Sequence, residues 1–124
     1  MIGFGQNSCE EFNSDVRESN QWAHHYFSWA AGYMSAINVR NQERFGEAID
    51  LWPASFDGPK QMEFLKNYCS LNPDKMFALG VMTLFNALTK EWFEKAEYQN
   101  YRQYLGLLFS YIELGMFCSN LRQT

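Results

Sequence analysis

Apolar positions recur along this chain at intervals of three and four, and the polar residues between them rarely alternate one for one. That spacing predicts helices and leaves no period-two strand pattern. A short helix is expected from about Cys9 to Arg17, with Phe12 and Val16 on its inner face. Ser19-Asn20 offers a break and a helix N-cap. The next segment carries Trp22, Tyr26, Trp29, Tyr33 and Ile37 on one face, with the small residues Ala30, Ala31, Gly32 and Ala36 permitting close approach of a neighbour. It is expected to end near Asn38 to Asn41.

Residues 42–60 read as an irregular connection, with Glu47 to Leu51 able to form one helical turn. Trp52-Pro53 and Asp57-Gly58-Pro59 are breakers, because proline restricts its predecessor and glycine admits a turn. Gln61 to Ser70 then places Phe64, Leu65, Tyr68 and Cys69 on one side of a helix that starts at Pro59. Asn72-Pro73-Asp74 reads as a further helix start. The helix after it, with Met76, Phe77, Leu79, Val81, Leu84, Phe85 and Leu88, is apolar nearly all round and is expected to be the central buried one. A last helix is expected over about Tyr98 to Cys118. The resulting picture is an all-α, compact bundle of four to five helices with one long irregular loop. It forms a single domain over 1–124, with a loose stretch over 1–8 and a C-terminal helical extension over 91–124.

Composition narrows the function classes. Hydrophobic residues make up 47% of the chain and aromatics 18%, enough to build a core rather than a disordered segment. Ten Lys and Arg face fourteen Asp and Glu for a net charge of −4, and the ten are scattered. Phosphate contacts need a basic stripe, so nucleic acid is not an expected partner. An acidic surface suits a basic protein partner. The longest largely apolar stretch, Phe77 to Phe85, is too short to span a bilayer, which takes about 20 residues, so membrane insertion is not expected. The N-terminus shows no intact signal peptide.

Candidate chemistry is sparse. His24-His25 is the one histidine pair, and adjacent side chains on a helix diverge by about 100°, so the two do not ligate one metal. Cys9, Cys69 and Cys118 form no CxxC pair. They fit equally three buried thiols or one disulfide with a spare thiol. No GxSxG, GxGxxG, P-loop or HExxH pattern occurs. The expectation is a protein without catalytic residues, metal or cofactor. Aromatic residues set between breakers suit an interface, which directs attention to Trp52 and Phe56.

Three segments carry a resemblance: Ser8-Cys9-Glu10-Glu11-Phe12, Trp29-Ala30-Ala31-Gly32-Tyr33-Met34-Ser35-Ala36-Ile37-Asn38, and Leu65-Lys66-Asn67-Tyr68-Cys69-Ser70-Leu71-Asn72-Pro73. Together they resemble the small helical immunity proteins that protect bacteria from type VI secretion cell-wall amidases, the Rap/Tai group. They are also similar to the periplasmic HdeA-like acid-stress chaperones. The likeness covers roughly residues 8–90, and its short motifs speak to fold more than to activity.

The resemblance implies an exported, periplasmic protein with Cys9 bonded to Cys69, and it leaves Cys118 odd. It further implies a protein partner, a peptidoglycan amidase whose active site is occluded. The element expected to do this is the loop from Arg40 to Lys60, with Trp52 and Phe56 as anchors and Glu47, Asp50 and Asp57 as charged rim. The alternatives are an acid-stress chaperone and a structural module of the envelope that forms a homodimer through its C-terminal helix, which carries Gly106 and Gly115.

Overall fold

The computed structural model of the chain describes the backbone of residues 3–113 and the side chains of residues 3–96. It is all-α, with four helices among the described residues: α1 (Cys9–Glu18), α2 (Asn20–Phe45), α3 (Gly58–Leu71) and α4 (Phe77–Glu113). Short 3-10 turns occupy Phe4–Gln6 and Ala54–Phe56. The chain divides into two compact units after Lys90. In the second, an i,i+4 ion pair at 3.2 Å joins Lys95 to Glu91.

Each helix begins where the local chemistry allows it. Ser8 caps α1, its Oγ accepting from the Glu11 amide at 3.1 Å, with Glu10 and Glu11 complementing the helix dipole. Ser19 closes α1 through its amide and opens α2 through its hydroxyl, which accepts from Gln21. Asp57 caps α3 by accepting from the Lys60 amide at 3.1 Å, and Pro59 stands in the first turn as expected.

The core is centred on three rings from three helices. Phe12 of α1, Tyr26 of α2 and Phe77 of α4 are fully buried, with centroids 4.6 to 5.0 Å apart. Such rings contribute through area removed from water and through their edge-to-face geometry. The buried stripe of α2 is Tyr26, Ala30 and Met34. It differs from the expected face, because Trp29 and Tyr33 lie half-buried on its shoulder, stacked at 5.1 Å, and Trp22 is exposed. Of the small residues on α2, Ala30 alone is buried, and Gly32 meets nothing within 4 Å. The close approach instead comes at Gly80 of α4, where an added Cβ would lie 2.9 Å from the Tyr68 ring of α3.

Five other expectations are corrected. Residues 3–8 are not loose: Phe4 packs 4.8 Å from the Tyr26 ring, Gly5 is buried, and Asn7 donates to the Tyr26 hydroxyl at 2.9 Å. α2 runs past Asn41 to Phe45, because Val39 to Phe45 contains no breaker and the αL glycine that ends it is Gly46, at φ 73°.

Asn72-Pro73-Asp74 does not start α4. The Asn72 side chain donates back to the Tyr68 carbonyl, and the Pro73 and Lys75 carbonyls accept from the Glu10 and Cys9 amides, capping α1 from outside. This turn therefore serves two other helices, and α4 begins at Phe77. Finally, α4 continues to Glu113 without the expected break, since Thr89 to Glu97 contains neither Gly nor Pro. It is not buried all round: Phe77, Ala78, Val81, Leu84, Phe85 and Leu88 face inward, while Leu79 and Met82 stand near or beyond two-fifths exposed, as does Met76 just before the helix. Residues 114–124, including Gly115 and Cys118, lie outside the described residues.

Cys9 and Cys69 are disulfide-bonded, with their Cα atoms 4.6 Å apart and a sequence separation of 60. Both are fully buried. Closing a loop of this length lowers the entropy of the unfolded chain by an amount worth about 4 kcal/mol in the chain-entropy treatment. The Cys9→Ser/Cys69→Ser double variant should therefore lose about 2 to 5 kcal/mol, read as the shift in the urea midpoint.

Burial raises the Tyr26 phenol from its ordinary 10.0 to about 12, and its bond to the Asp15 carboxylate, at 2.7 Å, acts in the same direction. The folded state thus holds this proton more tightly than the unfolded one. Stability from this source is complete below pH 10 and is lost as pH rises towards about 12. Tyr26→Phe should cost about 1 kcal/mol at neutral pH and flatten the alkaline loss relative to the parent protein, as measured by urea melts across that range.

Candidate functional site

Between the end of α2 at Phe45 and the start of α3 at Gly58, the chain runs as an irregular segment over 46–57. It has no helix over Glu47 to Leu51, where one turn was expected; the one turn present is the 3-10 turn Ala54–Phe56. The reason is that Ile49 and Leu51 point inward as buried anchors two residues apart, an extended rather than helical register.

Two side-chain amides hold the path of this segment through its main chain. Asn38 of α2 donates to the Ile49 carbonyl at 2.8 Å and accepts from the Ile49 amide at 2.9 Å, the pairing one strand makes with another. Gln61 of α3 is fully buried, and its Nε2 donates to the Leu51 carbonyl at 2.8 Å and to the Phe56 carbonyl at 2.9 Å. The bonds satisfy a buried carbonyl at Leu51 and a part-buried one at Phe56, which unpaired would cost free energy. Asn38 lies one step along the Tyr26, Ala30, Met34 stripe, and Gln61 opens the buried Gln61, Leu65, Cys69 stripe. A polar amide in register with an apolar stripe was the available sign that these two residues have a structural task.

The expected site residues fall on this segment in different ways. Trp52 is 48% exposed, with its ring 5.8 Å from that of Phe27 on α2. Phe56 is half-buried and turns to the other flank, 6.0 Å from Phe64 on α3. The two rings therefore lie against different helices. Asp50 is exposed, and its carboxylate accepts from the Trp52 amide at 2.9 Å, fixing the bend that presents the indole. Asp57 is exposed and engaged as the α3 cap, and Glu47 is exposed.

A depression opens on each side of the segment. One, of about 500 Å³, is lined by residues of α2 from Ser35 to Glu43 together with Ala48 and Leu51. The other, of about 300 Å³, lies between Ser55, Phe56 and the α3 face that carries Lys60, Glu63 and Phe64. Phe45, a ring the sequence places on the connecting segment, instead ends α2 at 73% exposure, and Val39, which sequence reading passed over, is 61% exposed. Arg44 holds its guanidinium 5.7 Å from the Phe45 ring centroid, in cation–π range. It also passed over Leu71, at 82% exposure beside the Asn72 turn. Val39 and Leu71 were hidden because α2 was expected to end near Asn38 to Asn41 and α3 at Ser70.

Among the described residues, no three His, Cys, Asp or Glu side chains cluster as a metal site would require, and no helix is long and apolar enough to cross a membrane. Both His24 and His25 are exposed, with His25 stacked on Phe4 at 6.0 Å. Comparison with protein-family models, with curated proteins and with solved structures gives no match to this chain.

The amide clamps make a local prediction. Asn38→Ala leaves the Ile49 amide and carbonyl unpaired, so backbone exchange at Ile49 to Trp52 should accelerate by at least about tenfold, corresponding to about 1.4 kcal/mol or more. Amides of the Phe12–Tyr26–Phe77 core should change much less when followed by hydrogen exchange in the same sample.

Proposed function

We propose that this chain is a non-catalytic binding protein of the bacterial periplasm, an immunity protein that docks on a secreted peptidoglycan amidase and occludes its active site. The observation that carries this reading is the 46–57 segment. Its course is set through main-chain atoms by Asn38 and Gln61, and it presents Trp52 half-exposed. A preformed loop loses little entropy on association, and a half-exposed tryptophan on such a loop is the residue type that dominates interface energetics.

Two further features agree with it. The buried Cys9–Cys69 disulfide suits an oxidising compartment, and the surface acids Glu47, Asp50 and Asp57 around the loop suit a basic groove. The motif likeness over residues 8–90 supplies the amidase as partner class.

The test is affinity capture of the tagged full chain from its native cells at neutral pH, followed by assay of the captured protein. Capture of one stoichiometric cell-wall hydrolase, silent in the complex and active when released, is the expected result. No partner at neutral pH, with many envelope clients held only after acid treatment, would instead favour an acid-stress chaperone.

Trp52→Ala should weaken the complex by about thirtyfold or more, the effect of losing a 2 kcal/mol anchor, while changing stability by less than about 1 kcal/mol. Inhibition unchanged by this substitution would remove the loop from the interface.

A further inference from the structure

The larger depression beside the loop has a composition that selects its occupant. Its α2 wall is built from Ser35, Asn38, Val39, Gln42 and Glu43, which share one helix face at i, i+3, i+4, i+7 and i+8, and its other wall is Ala48 and Leu51. The polar atoms of this wall are not all available. Both functions of the Asn38 amide are engaged by the Ile49 backbone. That leaves the Ser35 hydroxyl, the Gln42 amide and the Glu43 carboxylate at the edge of an apolar floor made by Val39, Ala48 and Leu51.

Glu43 is the one charged residue of the lining. On the same helix, Arg44 stands about 100° round from Glu43, whereas Arg40 lies one turn before it at the i,i+3 spacing of surface neighbours, yet among the described residues no ion pair joins Arg40 to Glu43. The Arg44 guanidinium is turned onto the Phe45 ring. The groove thus pairs an apolar floor with an anionic lip that these arginines do not occupy.

We propose that this groove receives a lysine or arginine side chain from a bound protein. The aliphatic stem lies over Val39, Ala48 and Leu51, and the cationic tip reaches Glu43, with Ser35 and Gln42 as further acceptors. Long basic side chains are suited to such a site because they bury a methylene stem while keeping a multiply donating head at the polar edge. An acidic side chain meets Glu43 as a like charge, and a purely aliphatic one leaves the three polar groups unused. This assignment rests on the reading of the loop as a protein-binding element and names the chemistry that the partner brings to it.

The test titrates the ¹⁵N-labelled full chain with Nα-acetyl-lysine methylamide, and in parallel with its arginine, norleucine and glutamate counterparts. The cationic probes should shift the amides of Val39, Gln42, Glu43, Ala48 and Leu51, saturating on the order of 1–10 mM, the affinity open to a single side chain. Norleucine should bind at least about threefold more weakly. Glu43→Gln should weaken lysine about threefold, the effect of an exposed ion pair, and leave norleucine unchanged; Glu63→Gln on α3 should change neither.

Absence of shifts at these amides, equal binding of norleucine or glutamate, or indifference to Glu43→Gln would each overturn the assignment. The two readings fail separately. A captured amidase with a groove indifferent to lysine keeps the immunity reading and removes this one. A groove that takes lysine on a chain holding no hydrolase does the reverse.

Discussion

Cys9 is the point at which three stretches of chain are fixed to one another. Its sulfur is bonded to Cys69 on α3, and its amide donates to the Lys75 carbonyl at 2.7 Å in the turn before α4. Its own backbone begins α1. The covalent bond and the main-chain bonds act on the same few atoms, so α1 cannot shift along α3 without also uncapping itself. Phe12 sits one helical turn on, which carries that constraint into the ring cluster with Tyr26 and Phe77. The register of α2 follows from Tyr26, whose hydroxyl is held by Asn7 on one side and Asp15 on the other.

From that fixed end, α2 extends to Phe45, well beyond the ring cluster. Its far half therefore serves as a wall for the 46–57 segment. The disulfide end and the loop end are thus linked by one rigid element and by α3, which returns antiparallel in sequence sense from Gly58 to Cys69. Each helix sets a side-chain amide against the loop, Gln61 fully buried and Asn38 half-buried. The same apolar stripes that build the core end in Asn38 and Gln61, and there the packing changes from side chain against side chain to side chain against main chain.

Much of this architecture was legible in the residues themselves. α1, the Ser19 junction, and the start of α3 at Asp57-Gly58-Pro59 follow from capping and proline chemistry that acts within a few residues. What was not legible depends on distant partners. Asn72-Pro73-Asp74 has the local form of a helix start, yet its carbonyls are taken by the amides of α1, more than sixty residues earlier in sequence. The Phe4 to Asn7 stretch looks unstructured from its glycines and becomes ordered against Trp22 and Tyr26. On the loop, breakers marked Trp52 and Phe56 as notable, but only packing separates them onto different helices. Asn38 and Gln61 carry no local signal beyond their place in an apolar stripe.

The clamps on the loop grip peptide groups and leave its side chains alone. Asn38 and Gln61 bind the carbonyls or amide of Ile49, Leu51 and Phe56, groups that every residue type but proline supplies in full. Residues such as Ala48 and even Trp52 can therefore be exchanged while the loop keeps its course. The segment is a fixed frame with an interchangeable display, where the chemistry shown at the surface changes by substitution without a new fold.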